Sequence, residues 1–102
     1  MAAIAVTHLP ERRRYEARVD GRLAGFTQYR VAGDQDVFVH TVVIPAFEGR
    51  GVGSTIVRGA LDDVRARGRR AVAVCPFMAA WLERHPGVYD DILDEAPPRA
   101  GE

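Results

Sequence analysis

Apolar and polar positions along the chain change period once. Up to Ile44 they run in short, mostly alternating stretches; from Val52 to Val64 they recur at helical spacing. Ala3 to Leu9 is a short apolar stretch closed by Pro10, and reads as a strand. A charged turn follows, Pro10-Glu11-Arg12-Arg13-Arg14. Tyr15 to Val19 and Leu23 to Val31 flank Asp20-Gly21, and an Asp-Gly pair between alternating runs signals a hairpin. Gly33-Asp34 marks a second turn before Val37 to Ile44, a third long strand. Pro45 stops that strand, because it has no N–H to donate to a ladder. The first 44 residues thus predict an antiparallel meander.

Val52, Ile56, Val57, Ala60, Leu61 and Val64 make one apolar stripe of an amphipathic helix. Arg58, Asp62, Asp63, Arg65 and Arg67 fall on the solvent side, with Arg58–Asp62 and Asp63–Arg67 at i,i+4. Gly59, inside the stripe's span, reads as a close helix-to-sheet approach, and Gly68 as the helix stop. Ala71 to Cys75 is a buried-type strand ended by Pro76. A strand, a helix and a second strand in this order make a βαβ unit, whose strands lie parallel. Met78 to Arg84 predicts a short helix, and Val88 to Leu93 a last helical turn or two. The expected fold class is therefore α+β with a mixed sheet: an antiparallel meander, a βαβ unit and short C-terminal helices.

Length and composition narrow the function classes. At 102 residues with 47% hydrophobic residues, one globular domain is expected, spanning 1–94, with a flexible tail over 95–102. Fourteen arginines balance fourteen acids, and lysine is absent. Neither half of the chain is basic enough for a nucleic-acid footprint. The triple arginine has no interleaved aromatic residues and reads as a solvated turn. A single cysteine excludes an internal disulfide and a cysteine-only metal cluster. No leader pattern and no run of 18 apolar residues is present, so a soluble, cytoplasmic protein without membrane contact is expected.

The chemistry concentrates in Phe47-Glu48-Gly49-Arg50-Gly51-Val52-Gly53-Ser54-Thr55, where the strand pattern gives way to the helical one. A glycine-rich loop at a helix start points several unpaired N–H groups and the positive dipole end at one place, which suits phosphate. The P-loop pattern requires Gly-Lys-Ser/Thr and fails here. The dinucleotide pattern fails at its third glycine, where Ser54 stands, and no acid follows about 20 residues on. The run is similar instead to the acyl-CoA pyrophosphate loop of the Gcn5-related N-acetyltransferases, written Gln/Arg-x-x-Gly-x-Gly/Ala. Here it reads Glu48-Gly49-Arg50-Gly51-Val52-Gly53, with a carboxylate where that family has Gln or Arg. Val39-His40-Thr41-Val42-Val43 and Cys75-Pro76-Phe77…Trp81…Arg84-His85-Pro86 extend the likeness over Val37 to Leu93. It resembles most the short, single-domain acetyltransferase-like proteins.

That resemblance implies acetyl-CoA as acyl donor, no metal, and a small-molecule or protein amine as acceptor. It places the diphosphate on Glu48, Gly49, Arg50, Gly51, Val52, Gly53 and Ser54. It lays the pantetheine arm between two splayed parallel strands, along the backbone of Val42, Val43 and Ile44, where an N–H would also serve as oxyanion donor. His40 is the first candidate for general base; the other reading is a solvent-facing or core histidine of an alternating strand. Cys75 ends the strand opposite the splay. It is either a nucleophile activated by a base such as His40, or a small buried apolar residue. His85, Tyr89 and the acids Asp90, Asp91, Asp94 and Glu95 are weaker candidates, for proton transfer and for attracting a cationic amine. The alternative expectation, prompted by Glu48 and by the absent helical segment after the first strand, is a catalytically weak CoA- or phosphate-binding interaction module. Monomer and homodimer both remain open.

Overall fold

The structure, a computed structural model, describes residues 3–95; the expected tail lies, apart from Glu95, outside them. Five strands form one sheet in the order β1-β2-β3-β4-β5: β1 Ile4–Leu9, β2 Arg14–Val19, β3 Arg22–Ala32, β4 Gln35–Val43 and β5 Arg70–Ala73. The first three pairings are antiparallel, and β4 with β5 is parallel. Two helices follow the meander, α1 Val52–Ala66 and α2 Pro76–Arg84. This is the mixed sheet that the change of period predicted.

Helix α1 lies across the sheet because its apolar stripe matches one sheet face. Val52, Ile56, Val57, Ala60, Leu61 and Val64 are all buried there. Gly59 touches the sheet closely: a Cβ on it would stand 2.9 Å from Val6 Cγ1. The helix ends in a double reverse bond, Gly68 N–H to the Arg65 carbonyl and Arg69 N–H to the Val64 carbonyl, both 3.1 Å, the Schellman arrangement. Asp63–Arg67 forms at 2.8 Å. Asp62 instead accepts the Tyr89 hydroxyl at 2.8 Å.

Helix α2 packs on the same face, with Met78 and Trp81 in the core beside Val57 and Leu61. Among the described residues the opposite face of the sheet carries no helix. Proline at the first position lets α2 begin at Pro76, earlier than its apolar spacing suggests.

Val88 to Leu93 is not helical, contrary to expectation. One i→i+3 bond closes a turn, from Ile92 N–H to the Tyr89 carbonyl at 3.0 Å. The chain then extends along the free edge of β5. Ala71 N–H donates to the Ile92 carbonyl and Asp94 N–H to the Ala71 carbonyl, each at 2.9 Å. The physical reason is the unpaired backbone of β5: bonding to it satisfies groups that a continued helix would leave open. Arg65 grips Asp91 and Arg70 grips Asp94, which fastens this segment.

Candidate functional site

The parallel ladder of β4 and β5 is short. It runs from Gln35↔Arg70 to Phe38↔Ala73. There the amides of Val74 and Cys75 converge on one acceptor, the Phe38 carbonyl, at 3.0 and 2.8 Å. Beyond that point β4 continues to Val43 paired only with β3, while the other chain turns into α2. The two strands part.

A β-bulge accompanies the parting. Gln28 pairs with His40 but Tyr29 with Phe38, so Val39 is the extra residue. The bulge resets which backbone groups face the gap. Ile44 N–H donates to the Ala24 carbonyl at 2.8 Å, toward β3. Backbone groups alternate sides along a strand, so Val42 also turns to β3, while Thr41 and Val43 turn to the free edge. The expectation for Ile44 as a donor to a ligand is thereby corrected, because its amide already has a partner.

A groove of about 440 Å³ opens at this gap. Thr41 and Val43 of β4 form one wall, Phe77 of α2 another, and Phe47, Glu48, Gly49, Gly51, Val52, Gly53 and Ser54 the floor. The glycine loop folds as its composition requires: Gly49 and Gly51 have φ of 80° and 77°, in the left-handed region where a Cβ is costly. Gly51 is the N-cap of α1, and no side chain caps the helix. The first-turn amides of Val52, Gly53 and Ser54 are thus left for an incoming acceptor. Charge at the rim is mixed. Glu48 lines the groove, and the guanidiniums of Arg22 and Arg50 lie 5.3 and 5.5 Å from the Phe47 ring centre.

His40 and Cys75 are not brought together. Cys75 is buried on the helix side, and its thiol donates to Thr41 Oγ1 at 3.3 Å. Thr41 Oγ1 also meets Thr27 Oγ1 at 2.9 Å. His40, one residue before Thr41, is exposed on the opposite face, 6.1 Å from the Phe26 ring. A direct activation of Cys75 by His40 is therefore corrected: the pleat points consecutive side chains to opposite faces. Arg50 is near the groove through Phe47 but does not line it.

Of the weaker candidates, His85, Tyr89, Asp91 and Asp94 make structural contacts. His85 stacks on Trp81 at 3.9 Å and its Nδ1–H donates to the Trp81 carbonyl at 2.8 Å. Tyr89 is buried, and burial followed by its bond to Asp62 pushes its hydroxyl up to about 12. Asp91 and Asp94 are occupied by arginines. Among the described residues no group of three His, Cys, Asp or Glu side chains is arranged to hold a metal, and no helix is long and apolar enough to cross a membrane.

Sequence reasoning missed three contributors. Thr41 and Phe77 wall the groove; Ser54, expected at the loop, also accepts Trp81 Nε1–H at 2.9 Å, tying the loop to α2. On the bare face, Arg14 lies over Phe26, its Cζ 3.8 Å from the ring centre. Arg14, Glu16 and Arg18 sit at i, i+2 and i+4 of one strand, which places them on one face and was a legible signal.

A family model described as GCN5-related N-acetyl-transferase matches residues 14–92. Solved structures share the fold at low identity. A GCN5-like protein from Staphylococcus aureus, solved by NMR, is 18% identical with a TM-score of 0.68, and 95% of this chain covers 94% of that one. The ribosomal-protein-S18-alanine N-acetyltransferase of Escherichia coli is 16% identical, with a TM-score of 0.64 over 85% of this chain and 77% of its own. The PaiA N-acetyltransferase of Thermoplasma acidophilum, in complex with coenzyme A, is 18% identical with a TM-score of 0.50, over 55% of this chain and 35% of its own. No curated protein matches by sequence.

Proposed function

The chain belongs to the GCN5-related N-acetyltransferases, and on that premise we propose that it transfers acetyl from acetyl-CoA to an amine by direct attack. One observation carries the reading: the uncapped first turn of α1, with its glycine loop, opens into the groove where β4 and β5 part. A diphosphate suits those amides and the dipole end. The pantetheine arm then runs along the free edge of β4, where the Thr41 and Val43 backbone groups have no strand partner. Either N–H on that edge suits the oxyanion that forms when the amine nitrogen attacks the thioester carbonyl. Losing one such donor costs roughly 3–4 kcal/mol.

The attacking amine must give up a proton, and the collapse breaks the C–S bond to release CoA thiolate. His40 is the proposed proton acceptor, because it stands beside Thr41 in sequence and is open to the bare face. Donor and acceptor then approach the gap from opposite sides of the sheet. The buried Cys75 thiol, committed to Thr41, supports packing rather than a covalent intermediate. Glu48 opposes a diphosphate, and Arg22 and Arg50 around Phe47 offset it.

The test is titration calorimetry with acetyl-CoA followed by a transfer assay over an amine panel. Saturable binding with turnover supports the reading. Absence of heat and of thermal stabilisation at millimolar acetyl-CoA sinks it. Binding without turnover returns the protein to an interaction module.

A further inference from the structure

Among the described residues both helices lie on one face of the sheet, and the other face is cationic beside His40. Its strand positions carry Arg14, Glu16 and Arg18 on β2, Phe26, Gln28 and Arg30 on β3, and His40 on β4. Glu16 is the one acid among them, and it is already held twice. It lies 3.2 Å from Arg14 Nε and 3.1 Å from Arg18 Nη2, with its side chain only 7% exposed. Asp36, the acid of β4, points to the other face, into Arg67 and Arg69.

Arg14 is held in place without being saturated. Its guanidinium carbon lies 3.8 Å from the Phe26 ring centre, and Glu16 lies beside its Nε. Its Nε is buried and makes no hydrogen bond, because the approach of Glu16 is off the N–H line. Among the described residues no side chain or carbonyl accepts from the rest of its fork. Arg14 pairs with Gln28, and Gln28 with His40, so Arg14 and His40 stand in one row across three strands. Strand spacing puts their backbones about 10 Å apart. Phe26 bridges that gap, touching both.

From this juxtaposition we infer that the acceptor is a small amine carrying a carboxylate a few bonds from its nitrogen, with Arg14 gripping the carboxylate over Phe26 while the amine reaches His40. A guanidinium matches a carboxylate in a two-point fork, and an aromatic floor holds its plane. The same surface repels polyamines and lysine side chains of basic peptides. The inference rests on the transfer reading above and adds the acceptor class.

The experiment uses the full chain with acetyl-CoA. α-, β- and γ-amino acids are compared, each beside its carboxamide and its decarboxylated amine, with kcat and KM separated. At least one free carboxylate is expected to show a KM lower by roughly 10- to 100-fold than its carboxamide, the range of a charge-assisted hydrogen bond. Arg14→Gln should raise the carboxylate's KM to that of the carboxamide, and Arg14→Lys should recover part of the preference. Equal or better use of the carboxamides or amines overturns the inference, as does an Arg14→Gln effect shared by all acceptors. The comparison within the natural protein needs no variant to fold. The two levels separate: transfer to amines with no carboxylate preference overturns this inference alone, and no transfer to any acceptor, with or without acetyl-CoA binding, overturns the transfer reading with it.

Discussion

The ring of Phe77 fills the space that a side chain at Gly53 would need. A Cβ on Gly53 would stand 3.0 Å from Phe77 Cε1 and 3.2 Å from Cε2, and nearer still to Cζ. Both residues line the groove, so this contact sets its width at the first turn of α1. Gly53→Ala gains about 1 kcal/mol of helix propensity but must displace the ring. Phe77 is 39% exposed and can swing outward. The expected result is near-unchanged melting with acetyl-CoA affinity lowered about tenfold. Measured with Phe77→Ala in a double-mutant cycle, the two changes should be non-additive by about 1 kcal/mol. Additive effects on binding would show that the contact does not shape the groove.

Because His40 and Cys75 face opposite sides of the sheet, their substitutions should separate. His40→Ala is expected to lower kcat about 100-fold or more. Cys75→Ala is expected to keep transfer within a few-fold and to lower stability by about 1 kcal/mol. Intact-mass spectrometry after incubation with acetyl-CoA checks the same point. A stable acetyl group on Cys75 that chases into added amine would require the covalent route instead.

Away from the groove, His8 has both ring nitrogens engaged. Nε2 meets the Tyr29 hydroxyl at 2.6 Å, and Nδ1 lies 3.3 Å from Asp63 Oδ2. Burial, then the Arg67 guanidinium, hold its pKa below the ordinary 6.5, although Asp63 pulls the other way. The folded protein therefore keeps His8 neutral where the unfolded chain has begun to take up a proton. Its contribution is complete above about pH 6.5 and is lost as pH falls through the folded value. Asp63 acts in the same direction at lower pH. Burial pushes its carboxyl up, but the bonds from Tyr15 and Arg67 outweigh this and leave it below its ordinary value. Urea unfolding across pH 4 to 8 should show stability falling with acidification from about pH 6.5 downward. His8→Phe should be less stable at pH 8 and flatter between pH 6.5 and 5. An unchanged slope would place the titration elsewhere.

Asp36 is fully buried at the start of β4, with Arg67 Nη2 at 2.8 Å and Arg69 Nε at 2.9 Å. It joins the sheet to the C-terminal end of α1. Removing one member of a buried ion cluster leaves the others uncompensated, at a cost of 3–5 kcal/mol. Both arginines reach solvent and can partly rehydrate, so Asp36→Ala is expected near the low end, about 3 kcal/mol by urea unfolding. A loss below 1 kcal/mol would mean that packing alone holds this corner.

The local elements and the loop were legible in the chain because local patterns carry them. Period-two alternation, the Asp-Gly turn and the helical stripe fixed strands and helix within a few residues, and glycines clustered at a helix start marked the loop that lines the groove. Where β4 and β5 part was not legible: it depends on two amides competing for the Phe38 carbonyl and on a bulge at Val39, and neither leaves a composition signal. The same bulge decided that Thr41 and Val43, not Ile44, face the gap. Folding also decided that His40 and Cys75 stand on opposite faces, and that the chain after the Tyr89–Ile92 turn extends along an edge. Side-chain facing and edge pairing depend on partners far along the chain, so they arise only when the strands are laid together.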